Sequence, residues 1–263
     1  QTEYPAVRSR LLITGEPPYA NAKVFSLSVM TAAAAHDLLV TSDSDVRVTK
    51  DFLWRIAGEL TADTYDLATC AYRAVPGRHI WSLFEALGIN TEFWSSAFVA
   101  KLLEGVRFTV GPTVILRRAV CNAIPWDSLS GYLAEDFILG QRAAEAGFRV
   151  DISQQVVDHH LSDETAVHNF EHRLRWARST RRSRPWGYLG MVFTNPLPLS
   201  LLFVALAPAW WPILLVTIAL RGAMAAATAG AVLNDPLSRR WWILIPLQDL
   251  ISFAFWLAGF SGN

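Results

Sequence analysis

Residues 37–47 read DLLVTSDSDVR, an apolar run followed at once by two acids one residue apart. A short apolar run of this kind is consistent with a buried strand of a parallel sheet. In open α/β sheets ligands bind beyond the carboxyl ends of the strands, which is where Asp43 and Asp45 fall. Two such carboxylates can share one hard cation, Mg²⁺ or Mn²⁺, that also bridges to a diphosphate. A polar turn leading into the next helix would use the same residue types, so both readings stand at this point.

Working outward, residues 51–60 read as a helix and residues 67–72 and 108–116 as strands. Residues 133–146 read as a helix stopped by Gly147, and 148–152 as a further strand. Alternation of this kind predicts an α/β sheet with helices packed on it. Lys and Arg number 23, as do Asp and Glu, so net charge is zero and nothing suggests a nucleic-acid partner. Cys70 and Cys121 lack metal-like spacing and read as two buried thiols.

After Arg184 charges nearly vanish. Residues 188–207, 210–232 and 241–260 are each long and apolar enough to be read as a membrane span. Arg173, Arg175, Arg178, Arg181, Arg182 and Arg184 precede the first, and Arg239 and Arg240 precede the third. The positive-inside rule then puts the polar domain in the cytoplasm and the C-terminus outside. Pro208 and the Trp210–Trp211 pair suit a tight hairpin at the far interface. Arg221, inside the second span, needs a partner there.

Three further groups carry chemistry. Glu135 and Asp136 lie in GYLAEDFILGQRAAEAG (131–147), at a helix start with apolar neighbours. A partly buried carboxylate there can take a proton from an acceptor hydroxyl; a carboxylate stabilised by the helix dipole is the simpler alternative. Burial raises its pKa and the dipole lowers it. His172, Arg175, Trp176 and Ser179, in NFEHRLRWARSTRRSRP (169–185), share one helix face. Arg can grip a diphosphate and Trp can stack on a ring, while a basic amphipathic helix on anionic headgroups explains the same pattern. Lys23, in PPYANAKVFSL (17–27), is placed to reach phosphate; Asn21 beside it, Gly111 and the His159–His160 pair are weaker candidates.

In this order the motifs resemble family 2 glycosyltransferases of the GT-A fold, with SDSDVRV, FTVGPTVILRR, YLAEDFILGQR and HRLRWARSTR most similar to the ceramide glucosyltransferase subgroup and bacterial hopanoid-associated glycosyltransferases. The resemblance implies a Rossmann-like nucleotide-sugar domain over residues 1–167, incomplete at its N-terminus, since the family's early nucleotide-binding Asp has no counterpart after Gln1. It further implies an amphipathic interface helix over 168–187 and three transmembrane helices over 188–263. The activity implied is inverting transfer of a hexose from a UDP-sugar to a membrane lipid, at a bacterial inner membrane. Asp136 would be the base, Asp43 and Asp45 the metal ligands, and Glu135, His172, Arg175, Trp176 and Lys23 the substrate-binding residues. His172 stands where the family has Gln or Arg. A polysaccharide synthase, which needs more spans for a channel, and an inactive membrane scaffold are the alternatives.

Overall fold

The computed structural model describes residues 9–62, 64–163 and 165–262. Asn21 caps α1 (Ala22–Ala33), accepting from the Val24 amide at 3.1 Å. Strand β1 (Leu38–Ser42), the acidic turn, β2 (Val46–Arg47), α2 (Phe52–Thr61) and β3 (Leu67–Val75) follow. Helices α3 (Ile80–Gly88) and α4 (Trp94–Glu104) are joined by widened helical turns at Ile89–Phe93. Then come β4 (Thr113–Arg117), α5 (Arg118–Ala123), α6 (Glu135–Glu145) and β5 (Val150–His160). The rest is helical: α7 (Ala166–Ser183), α8 (Pro185–Gly190), α9 (Pro196–Leu206), α10 (Pro212–Ala225, continued by wider turns to Val232), α11 (Pro236–Arg240) and α12 (Ile245–Ala258).

The sheet is mixed, in the order β1-β4-β3-β5-β2. Only β3 and β5 run parallel; β4 is antiparallel to both β1 and β3, and β2 is antiparallel to β5. The reading of β1 as a buried parallel strand is therefore corrected. It is an antiparallel edge strand, and Leu38 at its start is exposed. The strand expected over 108–116 begins only at Thr113. Pro112 has no amide to give a ladder, and its carbonyl instead accepts from the Asp43 amide at 3.0 Å. That bond ties the acidic turn to the Gly111–Pro112 turn.

Apolar side chains fill both faces of the sheet. Ile115 joins Phe52, Ile56, Tyr72 and Trp94 on one face. Its neighbours Val114 and Leu116 join Val24, Leu39, Val120 and Leu139 on the other, as the two-residue strand period demands. Cys70 and Cys121 are buried and free, as read from the sequence. Leu233, just past α10, packs into the first cluster, so the apolar C-terminal third shares a core with the sheet.

A buried polar seam reinforces that junction. Three consecutive residues of the widened turn each hold one point of the apolar segment. Asn90 donates to Asp235 at 3.0 Å, Thr91 accepts from Arg221 at both its carbonyl and hydroxyl oxygens, and Glu92 accepts from Asn195 at 2.8 Å. Arg221 also makes a two-pronged ion pair with Asp249 of α12, with contacts of 2.8 and 2.9 Å. The partner that Arg221 requires is thus present.

Of the three stretches read as spans, Pro212–Val232 alone is a continuous helix long and apolar enough to cross a bilayer. Pro185–Thr194 and Pro196–Leu206 pass only jointly and bend by 64° at Asn195. The bend falls where Pro196 cannot donate and Asn195 is turned to Glu92. Trp242–Ala258 is shorter.

Removing one partner of a buried ion pair strands the other charge, at a cost of about 3–5 kcal/mol. Asp249→Ala should therefore abolish most monodisperse protein on gel filtration in detergent. The paired change Arg221→Met with Asp249→Leu should restore it.

Candidate active site

Four of the residues singled out in the sequence meet at the carboxyl end of β1. Lys23, on the first turn of α1, lies 3.0 Å from Asp43 and 3.6 Å from Glu135. A methyl group added at Gly111 would lie 3.1 Å from both Lys23 Nζ and Asp136 Oδ2, so Gly111 leaves the gap in which these two side chains face each other. Burial alone would lower the Lys23 ammonium pKa; Asp43, Glu135 and Asp136 outweigh it and hold the pKa raised.

The acids arrive there because α6 is pressed onto the 108–111 segment. A Cβ at Gly140 would sit 2.3 Å from the Phe108 carbonyl carbon and 2.4 Å from the Thr109 nitrogen, so only glycine permits this approach. The Thr109 hydroxyl donates to the Asp136 carbonyl at 2.6 Å and fixes the first turn. Asn21, besides capping α1, donates to the Tyr132 carbonyl at 2.9 Å and ties the Lys23 helix to the loop ahead of α6.

Burial is the main cause that pushes the Asp136 carboxyl up to about 6, and the neighbouring Glu135 charge adds to it. Hydrogen bonds from the Phe137 amide, at 2.8 Å, and the Gly111 backbone act the other way. The contest between burial and helix start thus goes to burial. A carboxyl titrating there is a carboxylate at neutral pH and a stronger base than an ordinary aspartate.

The paired acids of the turn diverge. Asp43 faces Lys23, whereas Asp45 lies 3.3 Å from His159 Nε2 and its carbonyl accepts from the His160 amide. Among the described residues no three His, Cys, Asp or Glu side chains form a ready ligand set. The donors still suit a hard cation. Carboxylates of Asp43 and Glu135 flank an ammonium, with Asp136 across the Gly111 gap, and hard oxygens around a positive charge are what Mg²⁺ or Mn²⁺ takes.

Helix α7 keeps the motif within one broad stripe, whose two edges meet different neighbours. His172 turns to buried Glu85, 3.5 Å away, and lies 4.7 Å from the Trp176 ring. Glu85 also accepts from Asn169. Arg175, at the other edge of the stripe, lines with Arg178, Ser179 and Arg182 a cleft of about 400 Å³ closed opposite by Gly131–Ala134. That wall runs directly into Glu135 and Asp136. The α-helical 100° step keeps His172, Arg175, Trp176 and Ser179 within one arc, with Arg173 beside it turned to Phe255 of α12. Gly140 and Glu85 escaped the sequence reading; an isolated glycine within a helical pattern was the available signal for the first.

The model of glycosyl transferase family 21 matches residues 1–263, the whole chain. The chain belongs to glycosyl transferase family 21. The motif order is read above against family 2; what the two readings share is a glycosyl transferase. Among solved structures, the mannosyltransferase PcManGT from Pyrobaculum calidifontis, in complex with GDP-Man and Mn2+, is similar over 91% of this chain at 16% identity and a TM-score of 0.44. This chain spans 66% of that one.

The raised Asp136 pKa has a stability consequence with a definite sign. Between its ordinary 3.8 and about 6 the folded chain binds the proton that the unfolded chain has lost, so stability falls as pH rises through that window. Asp136→Asn removes this cost. It should stabilise the protein at pH 7.5 by up to roughly 3 kcal/mol and give no gain at pH 4, read from thermal unfolding at each pH.

Proposed function

We propose that this chain carries the catalytic region of a membrane-bound inverting glycosyltransferase that moves a hexose from a UDP-sugar to a lipid acceptor. The observation that carries the reading is the meeting of Lys23, Asp43, Glu135 and Asp136 at one mouth, beside a cleft lined by Arg175.

In this reading the acceptor hydroxyl enters along the 131–134 wall and gives its proton to the Asp136 carboxylate. Its oxygen attacks the anomeric carbon as the bond from that carbon to the UDP oxygen breaks; UDP leaves with the electron pair and the anomeric centre inverts. Asp43, with Glu135 beside it, would hold a divalent cation, whose chemistry is to neutralise charge on the diphosphate; Asp45 is turned to His159 and would have to swing round to join them. Arg175 donates to the departing phosphate, and its delocalised charge suits a bidentate grip. Glu135 keeps Lys23 at the mouth, and Lys23 gives a second positive charge toward the donor. Trp176, partly exposed beside His172, forms a wall for an apolar acceptor.

The lipid acceptor and the membrane setting are supported by the apolar helices α8 to α12 beside the cleft and by the arginines of α7. The same arginines support a cytoplasmic catalytic domain at an inner membrane. The ceramide-like acceptor is the narrower form of this reading, and it rests on the motif resemblance.

The test is UDP release by the full-length gene product in detergent, from UDP-glucose and UDP-N-acetylglucosamine, with Mn²⁺ or Mg²⁺ and with or without ceramide. Metal-dependent, lipid-dependent release is expected. Asp136→Asn should lower it by ~100-fold or more. The wild-type rate should climb as pH rises through about 6, as Asp136 becomes a carboxylate, and then level off. Full turnover in Asp136→Asn would remove the base assignment.

A further inference from the structure

We infer that the apolar C-terminal third does not cross the membrane three times: α12 lies flat at the headgroup level beside α7, and the α9–α10 hairpin dips into one leaflet and returns. This rests on the membrane reading above and sets its topology.

The first observation concerns α12, within the third stretch read as a span. Its later part, from about Phe255, and the residues after it run alongside α7. Phe255 meets Phe170 at 5.1 Å, and the Arg173 guanidinium lies 4.3 Å over the Phe255 ring. Farther along, Arg181 donates to the Phe260 and Gly262 carbonyls, and Arg178 to the Ser261 carbonyl. Helix α7 carries Glu171, Arg173, Arg175, Arg178, Arg181 and Arg182. Such a helix cannot lie in hydrocarbon, where each charge costs several kcal/mol. A helix bound along it is held at the same depth. The carbonyls of residues 260–262 are therefore on the side of the basic helix and the catalytic mouth.

The second observation is where the apolar surface lies. Leu201, Leu202, Phe203 and Leu206 of α9 and Ile213, Leu215, Val216, Ile218 and Leu220 of α10 are all exposed. From Arg221 onward one face of the same helix, with Arg221, Ala225, Thr228 and Ala229, is buried against the domain, while Ala223, Ala226, Ala227 and Val232 on its other face stay exposed. At the other foot of the hairpin, Asn195 is held by Glu92. Between these feet, residues 196–220 carry no charge.

Length then decides. At 1.5 Å per residue the part of α10 that stands clear of the domain on every side, residues 212–220, is about 13 Å long, and the 11-residue α9 is about 16 Å long. The hydrocarbon core is about 30 Å thick. The hairpin reaches about the midplane and stops. Its turn suits a place without water. Pro208 and Pro212 have no amide hydrogen, and the amides of Ala207, Trp210, Trp211 and Leu214 donate to carbonyls within the turn. Indole rings favour headgroups, so the Trp210–Trp211 pair pulls toward a spanning arrangement; the arms are too short to deliver it there. Helix α8 and the turn after it leave α9 at 64°, which lays them along the surface, with Trp186 and Phe193 exposed. Basic residues collect at this level, Arg182 and Arg184 among them, and fit anionic headgroups.

Single cysteines placed at exposed positions test this in the full-length protein in sealed inner-membrane vesicles of known sidedness. Asn122→Cys reports the catalytic side, Ala209→Cys the hairpin tip and Ser261→Cys the end of α12. Cys70 and Cys121 are buried and set the background. With a membrane-impermeant maleimide, Ser261→Cys should label from the same side as Asn122→Cys. Ala209→Cys should label from neither side until detergent is added. An attached environment-sensitive dye at position 209 should be quenched most by lipids brominated near the chain ends. Labelling of position 209 or 261 from the side opposite position 122 would overturn the inference, and labelling of both from that side would restore three crossings. Release of the whole protein by alkaline carbonate would overturn both the inference and the membrane reading, while leaving UDP release as an independent test of the transferase.

Discussion

Asn90, Thr91 and Glu92 are consecutive, yet each grips a different part of the apolar segment, at Asp235, Arg221 and Asn195. A regular helix would send these side chains in directions 100° apart; the widened turn at Ile89–Phe93 changes that spacing and keeps all three buried. The groups they hold are buried away from water, so the seam is either complete or costly. Around it the chain is organised. The sheet packs on one side through Trp94 and Tyr72, and the apolar helices pack on the other through Arg221, Asp249 and Gln248. With its amide set to satisfy its neighbours, Gln248 accepts from Arg173 at 3.0 Å and donates to the Phe84 carbonyl at 2.9 Å, which draws α7 into the same seam.

How much of this was legible depended on range. The β1 strand and its acidic turn are local patterns, and they stand where DLLVTSDSD put them. Helix α6, with Glu135 and Asp136 on its first turn, was equally visible from its apolar period and Gly147. Strand direction was not, because whether β1 runs with or against β4 is fixed by residues some 75 positions away. The polar seam was invisible for the same reason. Nothing near Asn90 announces Asp235. Charge-poor composition after Arg184 was plain, but composition counts apolar residues without saying which face lipid and which face protein.

The site shows the same division. Sequence order brought Lys23, Asp43, Glu135 and Asp136 together as a family pattern, and the fold sets them within one mouth. It did not say that His172 meets Glu85 while Arg175 lines the cleft, since that depends on what packs against each edge of α7. Nor did it give the balance at Asp136, where burial outweighs the helix start. That balance needs the press of α6 on Phe108 and Thr109 through Gly140.

The cleft between Gly131–Ala134 and α7 opens beside a helix that the proposed reading keeps at the membrane surface. A lipid substrate would then meet the enzyme by sliding in two dimensions, and its effective concentration would be its mole fraction in the leaflet. Adding inert lipid at constant total acceptor would slow such an enzyme, although no bulk concentration had changed.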